Sequence, residues 1–165
     1  MDIPLPDHPA PTDARPGTDL LSFRIGADVF CLPVTHVREI RAWSHPTPLP
    51  GVDRAVAGVI NLRGLVLPVI DPAVRLGLSA PPDRTRPVII VIEAAGRQAG
   101  LIADQVMDIL SVPTETIDAT PSLAGGPAVA AHSIYLAAVA LHEGQLLRIL
   151  LPSRLLAETG AGVTR

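Results

Sequence analysis

Histidine, serine and carboxylate side chains are the groups of this sequence that could do chemistry, but their spacing supports no catalytic centre. A helix-borne metal site needs two histidines one turn apart, and a nucleophilic serine needs a general base within reach. HxxxH and HExxH spacings are absent from the five histidines, which are His8, His36, His45, His132 and His142. His132 precedes Ser133, but neighbours along a strand point to opposite faces, and the chain has no GxSxG turn. We therefore predict neither a metal ion nor a catalytic dyad.

Cysteine, lysine and glycine usage excludes further classes of protein. Cys31 is the only cysteine, so an internal disulfide and a CxxC pair are both excluded, and we expect a buried structural thiol. All 13 basic residues are arginine, so a phosphate-binding loop that depends on lysine is impossible. The stretches Gly96–Gly100 and Ala124–Pro127 lack the GxGxxG pattern. Together these features predict a binding or scaffolding protein without enzymatic activity and without a cofactor.

The composition describes a small aliphatic chain. Its 165 residues are 48% hydrophobic, include only two Phe, one Trp and one Tyr, and carry a formal net charge of −3. Such a chain lacks the basic surface and the aromatic platforms that bind nucleic acid. The N-terminus is unlike a signal peptide, and no apolar run approaches the ~18 residues that cross a bilayer. We expect a cytoplasmic protein with one domain, or two small subdomains that share a core.

Short apolar runs broken by Gly, Pro or Asp predict a chain built mainly of strands. Several runs are joined by tight, Gly-containing turns, which favours hairpins and antiparallel barrels over a parallel α/β sheet. The predicted strands are Leu20–Ile25, Val29–Leu32, Val56–Leu62, Leu65–Ile70, Val88–Glu93, Ala99–Ala103, Ser133–Leu141 and Leu146–Leu151.

Three short helices are predicted between or after these strands. Val34, Val37 and Ile40 recur at three-residue spacing, which indicates about two helical turns after Pro33. The run Asp71–Gly77 has an N-cap Asp, a Pro at the first helical position and a terminal Gly. At the C-terminus, Ser153 is a candidate cap for a helix that ends before Gly160.

Three segments are predicted to lie outside the regular structure. Residues 1–18 contain five prolines and no apolar periodicity, which favours a disordered tail over a polyproline ligand for an aromatic groove. The Pro- and Gly-rich stretch 118–132 is predicted to be a mobile loop, and residues 158–165 form a C-terminal tail. The domain itself is expected to span residues 19–157.

The run Gly58–Asp71 is the most informative hairpin of the sequence. It reads G-V-I-N-L-R-G-L-V-L-P-V-I-D, with Arg63 and Gly64 at its tip. Gly64 permits the positive φ of a tight turn, and Arg63 presents five donors to solvent or to a partner. On spacing alone, solubility is the simpler role for this arginine.

This hairpin resembles the signature strand pair of the CheW family of bacterial chemosensory coupling proteins. Three more segments match in the same order: Leu20–Ile40 resembles the opening hairpin and V-x-E-I motif, Ala99–Pro113 the G-L-x-V-D-x-V motif, and Gly144–Leu156 the closing strand and helix. The resemblance implies an all-β fold of two SH3-like five-stranded β-barrels around a shared hydrophobic core, with few short helices. It also implies a non-enzymatic scaffold that links the cytoplasmic tip of a chemoreceptor to the regulatory domain of a CheA-type histidine kinase in an array at the inner membrane.

The resemblance also carries over candidate partner-binding residues. Arg63, together with Asn61 and Gly64 of the same turn, matches the N-L-R-G motif, and Glu39 matches the glutamate of V-x-E-I. Val37 and Ile40 flank Glu39 on the predicted helix, bordering a groove between the barrels, although core packing is an equal alternative for both.

The sequence departs from the family pattern at Pro72, Gln105 and Pro152. These departures are compatible with a non-motility or pilus-linked chemosensory pathway. The alternative from another class of protein is a stand-alone β-barrel sensor that binds a small ligand in an enclosed pocket.

Overall fold

The computed structural model describes residues 17–78, 86–118 and 135–157. Eleven strands and two short helices occupy these ranges. The strands are β1 (Gly17–Ile25), β2 (Asp28–Pro33), β3 (Val37–Ala42), β4 (Val56–Leu62), β5 (Leu65–Ile70), β6 (Val88–Ala94), β7 (Arg97–Ala103), β8 (Gln105–Pro113), β9 (Ile117–Asp118), β10 (Leu136–His142) and β11 (Gln145–Leu150). The helices are α1 (Pro72–Arg75) and α2 (Pro152–Ala157).

The predicted strands are confirmed, some with shifted ends. Strands β4 and β5 have the predicted bounds, because a tight turn separates two runs whose buried positions face one core. Residues 17 and 18, predicted as the end of the tail, belong to β1, where Gly17 and Thr18 pair with Pro113 and Val112. The stretches 1–16, 79–85, 119–134 and 158–165 lie outside the described residues, and with them His8, His132, Ser133 and Gly160.

The helix predicted after Pro33 was wrong. A single 3-10 turn, Val34–His36, leads into strand β3, whose residues alternate between half-buried and exposed. The three-residue spacing that mimics a helix arises because Val37 and Glu39 flank a β-bulge, which shifts the register of β3 against β6. Glu39 and Ile40 therefore lie on a strand.

The helix predicted at Asp71–Gly77 is confirmed, including its boundaries. Asp71 caps α1 by accepting a hydrogen bond from the Ala73 backbone N–H at 3.1 Å, and Gly77 ends it with φ of +71°. The predicted cap at Ser153 was wrong, because α2 begins one residue earlier, at Pro152. Proline suits this first helical position, since its missing N–H would have no partner there.

The strands form two sheets that exchange strands. One sheet has the order β8-β1-β2-β11-β10-β9 and the other β3-β6-β7-β5-β4. The chain leaves the β1–β2 hairpin of the first sheet to add β3 to the second. It later leaves the β6–β7 hairpin of the second sheet to add β8 to the first. The all-β class with two SH3-like subdomains is confirmed, and the two-residue strand β9 brings the first sheet to six strands instead of the expected five.

Three hydrophobic clusters hold the sheets together. Each sheet packs around a hydrophobic cluster of its own. The third cluster contains residues of both sheets and forms the shared core. Strand β6 contributes to two of them: Ile89 and Val91 face the interior of the five-stranded sheet, whereas Ile90 and Ile92 face the shared core. Because both faces of β6 are buried, its sequence is a continuous apolar run. Trp43 packs partly against the interior cluster of the five-stranded sheet.

The β4–β5 and β10–β11 hairpins are built on the same plan, 80 residues apart. Asp71 donates its backbone N–H to Ala55, and Leu151 donates its own to Tyr135, both at 2.7 Å. Each hairpin has a register shift near its start and a helix with proline in first position at its end. Position by position, the tip of one subdomain therefore has a counterpart in the other.

Candidate functional site

The tip of the β4–β5 hairpin is a tight two-residue turn that presents Arg63. Arg63 and Gly64 have φ of 53° and 87°, as a type I′ hairpin turn requires at both central positions. The Asn61 side-chain oxygen accepts a hydrogen bond from the Gly64 backbone N–H at 2.8 Å, which holds the turn from within. Asn61 and Gly64 therefore shape the tip, and Arg63 is the side chain that the turn exposes to solvent.

Arg63 forms an ion pair with Glu39 of strand β3. Its Nη2 lies 2.5 Å from Glu39 Oε2, and the two side chains are 70% and 29% exposed. Because β3 and β4 are the two edges of the five-stranded sheet, this contact closes the sheet on itself. The structure thus brings together two of the sequence-predicted residues across a separation of 24 positions.

Backbone pairing closes the same barrel beside the ion pair. Thr47, beyond the end of β3, exchanges two hydrogen bonds with Val59 of β4, at 2.8 and 2.9 Å. Gly58 is essential at this approach, since a Cβ atom there would lie 2.3 Å from the Thr47 carbonyl oxygen. The glycine of the G-V-I-N-L-R-G run therefore allows the strands to meet.

Val37 and Ile40 lie on the other face of β3, toward the shared core. Val37 packs against that core, while Ile40 is 45% exposed at its rim. Glu39 pairs in register with Val91, which faces the barrel interior, so Glu39 and Ile40 point to different surfaces. The predicted groove residues thus divide into a core residue and an exposed one.

Several exposed apolar side chains were not found from the sequence. Ile109 of β8 is 64% exposed and pairs in register with Leu21, a residue of the shared core. Ile40 is placed in the same way, because it pairs with Ile90 of that core. Four more exposed apolar side chains lie at the two hairpin tips: Leu65 and Val66 on one, Leu141 and Leu146 on the other. Val74 of α1 and Met107 of β8 are exposed to a smaller extent. Recognising β8 as a strand would have identified Ile109, because its neighbour Leu110 is half-buried.

The remaining reactive groups have structural roles. Burial raises the pKa of the Cys31 thiol to about 12, which confirms the predicted buried, structural thiol. His36 shares a hydrogen bond of 2.9 Å with the backbone oxygen of Glu93. Within the described ranges, no three His, Cys, Asp or Glu side chains converge as a metal site would require.

Arg75 of the R-L-G-L run is a buried cation. Its side chain is 2% exposed, and its Nη1 lies 3.2 Å from Asp53 Oδ2. Both residues line an open cavity of about 250 Å³ with Arg54 and Tyr135, so the two subdomains meet there. Leu155 holds the position in α2 that corresponds to Arg75, which shows that the fold also accepts an apolar side chain at this place.

Comparison with known proteins assigns the family. Residues 19–160 match the CheW-like domain. The chain is 46% identical over 108 residues to the chemotaxis protein CheW of Rhizobium meliloti (strain 1021), covering 66% of this chain and 70% of that relative. It is 36% identical over 111 residues to CheW of Bacillus subtilis (strain 168), with coverage of 66% and 70%. The PilI protein of Pseudomonas aeruginosa is 35% identical over 108 residues, with coverage of 66% and 61%.

A solved structure supports the same assignment at the level of the fold. The scaffolding protein TtCheW from Thermoanaerobacter tengcongensis superposes with a TM-score of 0.73 and 24% identity, over 82% of this chain and 89% of that one. No helix among the described residues is long and apolar enough to span a membrane. With a family match across most of its length, this chain belongs to the CheW-like domain family.

Proposed function

We propose that this scaffold couples a chemoreceptor to a CheA-type histidine kinase in the cytoplasm, within an array at the inner membrane. The observation that carries the proposal is the separation of the exposed surfaces on one shared core. Ile40 and Ile109 lie at the rim between the subdomains, whereas Arg63 and its apolar neighbours lie at a hairpin tip. A protein that joins two partners needs at least two such surfaces.

The surface between the subdomains suits a helical receptor tip. Ile40 and Ile109 present apolar area next to a well-packed core, which gives a helix an apolar stripe to bury. Glu39 precedes Ile40 in the chain and forms an ion pair with Arg63, and charges of this kind fix the orientation of a partner and add to its affinity. We therefore assign receptor or kinase contact to Arg63, Glu39 and Ile40, with Val37, Asn61 and Gly64 as the residues that support them.

The two hairpin tips suit contacts with domains of similar fold, such as the kinase regulatory domain. Each tip exposes two apolar side chains, and the charged turn residue is Arg63 on one and Glu143 on the other. Opposite charges at corresponding positions favour head-to-tail contacts, which build rings when the rotation closes.

Reconstitution with purified partners tests the proposal. Fragments of the cognate receptor tip and of the kinase regulatory domain should each bind the full chain at tens of micromolar or tighter, and together they should form a ternary complex. Failure of both fragments to bind would refute it. The PilI relative makes a pilus-linked pathway a second output to test, by deleting the gene and scoring twitching beside swimming. The small-ligand alternative predicts a thermal shift with a metabolite and no binding to either fragment.

A further inference from the structure

A polar cavity of about 250 Å³ lies where the two subdomains meet. One side of it is built by helix α1 and by the residues that precede strand β4. The other side is Tyr135, which precedes β10 of the six-stranded sheet. All of its lining residues belong to the described ranges, and they are Asp53, Arg54, Ala55, Val74, Arg75 and Tyr135. The cavity is therefore separate from the residues proposed above to contact receptor or kinase.

The charge of Arg75 is not needed to complete the fold. The Arg75 side chain is only 2% exposed, and a buried cation loses hydration energy that an apolar side chain of similar volume does not lose. The corresponding position of α2 holds Leu155, which is fully buried. Because the same kind of helix packs with leucine in the other subdomain, the charge of Arg75 indicates a role in the cavity that it lines.

Asp53 neutralises one positive charge of this cavity and is itself held in place. Its Oδ2 lies 3.2 Å from Arg75 Nη1. Its Oδ1 accepts a hydrogen bond of 2.8 Å from the Ala55 backbone N–H. Both carboxylate oxygens therefore have partners within the chain, and the guanidinium of Arg75 is fixed in position before any ligand arrives.

Arg54 supplies a second positive charge. It is exposed and forms no ion pair with another residue in the described part of the chain. Arg54 and Arg75 together outweigh the single carboxylate of Asp53, so the cavity carries a net positive charge. Because Arg75 is buried, water screens its charge less than it screens a surface charge. The cavity therefore attracts an anion and disfavours a metal cation.

We propose that this cavity binds a small oxyanion, a phosphate or carboxylate ion, beside Arg54 and Arg75. A guanidinium group donates paired hydrogen bonds to the oxygens of either ion. Its volume, about 250 Å³, corresponds to about eight water molecules of about 30 Å³ each. Pockets for drug-sized ligands are larger, at roughly 300–1,000 Å³. The cavity therefore suits an ion of a few atoms, such as phosphate or a short dicarboxylate, and is too small for a nucleotide.

An ion in this cavity would stabilise the folded chain. The lining residues come from both subdomains, so the complete cavity exists only when the two are packed together. A ligand that binds only the folded state stabilises it more as the ligand concentration rises. At a Kd of about 1 mM, about 20 mM of the ion shifts the folding equilibrium about twentyfold. For a domain of this size, that shift raises Tm by about 4–7 °C.

Thermal unfolding of the full chain tests the site, with sodium phosphate and sodium succinate as separate probes. Each is compared with sodium chloride at the same ionic strength. We expect at least one of the two ions to raise Tm by about 4–7 °C at about 20 mM, and the ion that does so distinguishes a tetrahedral from a planar oxyanion. Tyr135 is the only tyrosine, so the tyrosine band of the near-ultraviolet difference spectrum should change over the same concentrations and report binding at the cavity.

A matched pair of charge deletions gives the control. Arg54→Gln should abolish the rise in Tm and the Tyr135 signal but leave the Tm of the ligand-free chain nearly unchanged, because Arg54 is exposed. Arg154→Gln removes the same charge from an exposed position on α2 and should retain both effects.

Three results would overturn the inference. The first is a Tm that neither ion raises above its value in chloride. The second is an equal rise in Arg54→Gln. The third is a Kd above about 10 mM from the concentration dependence of Tm, which would mean an adventitious ion only. Neither receptor nor kinase is present in these measurements, so their outcome is independent of the proposed function.

Discussion

Replacing Arg63 by alanine should separate partner binding from folding. The ion pair with Glu39 is short, at 2.5 Å, but the arginine is 70% exposed, and exposed pairs contribute roughly 0–1 kcal/mol to stability. The φ of 53° at this position strains alanine as much as arginine, so the turn itself loses nothing. We expect the free energy of unfolding to fall by about 0.5 kcal/mol and Tm by about 1–3 °C.

The effect on binding should be much larger than the effect on stability. Removing one member of a charge pair that a partner desolvates costs about 2 kcal/mol or more, which is about 30-fold in Kd. Titration calorimetry with the receptor-tip and kinase-domain fragments measures this change, and thermal unfolding of the same preparations measures stability. Glu39→Ala should show the same pattern.

Two further variants sharpen the comparison. Arg154→Ala removes the same charge from an exposed position on α2 and should leave both Kd values unchanged. The double exchange Arg63→Glu with Glu39→Arg keeps an ion pair within the chain and should restore Tm without restoring affinity. A fall in Tm of more than about 5 °C for Arg63→Ala, or Kd values unchanged for both fragments, would refute the reasoning.

Three other positions give predictions that concern the fold. Gly58→Ala should lower the free energy of unfolding by about 2–3 kcal/mol in urea titrations, because its Cβ would lie 2.3 Å from the Thr47 oxygen; a neutral result would refute the close approach. Asp53→Ala should cost about 2–3 kcal/mol, since it removes an ion-pair partner from the buried Arg75, while Arg75→Leu should cost less; the reverse order would contradict this. Cys31 should react with Ellman's reagent at pH 8 only after unfolding. Because its folded pKa of about 12 lies above the ordinary thiol value of 9.0, the free energy of unfolding should fall as pH rises above about 9. Rapid labelling of the native chain would contradict the burial of its thiol.

Local sequence predicted the hairpins well, because a turn and its flanking strands are encoded together. Strands β4 and β5 were found with their bounds, since Gly64 marks the turn and apolar residues lie on both sides of it. Strand β3 was missed because a bulge gives it a spacing close to that of a helix. The exchange of β3 and β8 depends on pairing between distant residues, which no local pattern encodes.

For the candidate site too, local sequence predicted the individual residues but not the contact between them. Arg63 could be identified because it stands next to the glycine of a tight turn between two apolar runs. Glu39 could be identified because it matches the glutamate of the V-x-E-I motif. Their contact across the edges of the sheet was not predictable, since it depends on barrel closure at Thr47 and Gly58. The exposed Ile109 was missed because residues 105–113 could be interpreted as either helix or strand.

Strand exchange explains how a small protein can keep the two proposed binding surfaces in a fixed relation. The strands that follow the β1–β2 and β6–β7 hairpins, β3 and β8, each join the opposite sheet, so neither sheet is complete without residues from both halves of the chain. The exposed Ile40 and Ile109 lie on those exchanged strands, next to side chains buried in the shared core. Protein cores are close-packed and have low compressibility, so they transmit small displacements. A partner that displaces the Ile40 or Ile109 side chain would therefore also shift residues of the shared core. The arrangement therefore links contact at the rim to the position of the hairpin tips, which is what the proposed role between two signalling proteins requires.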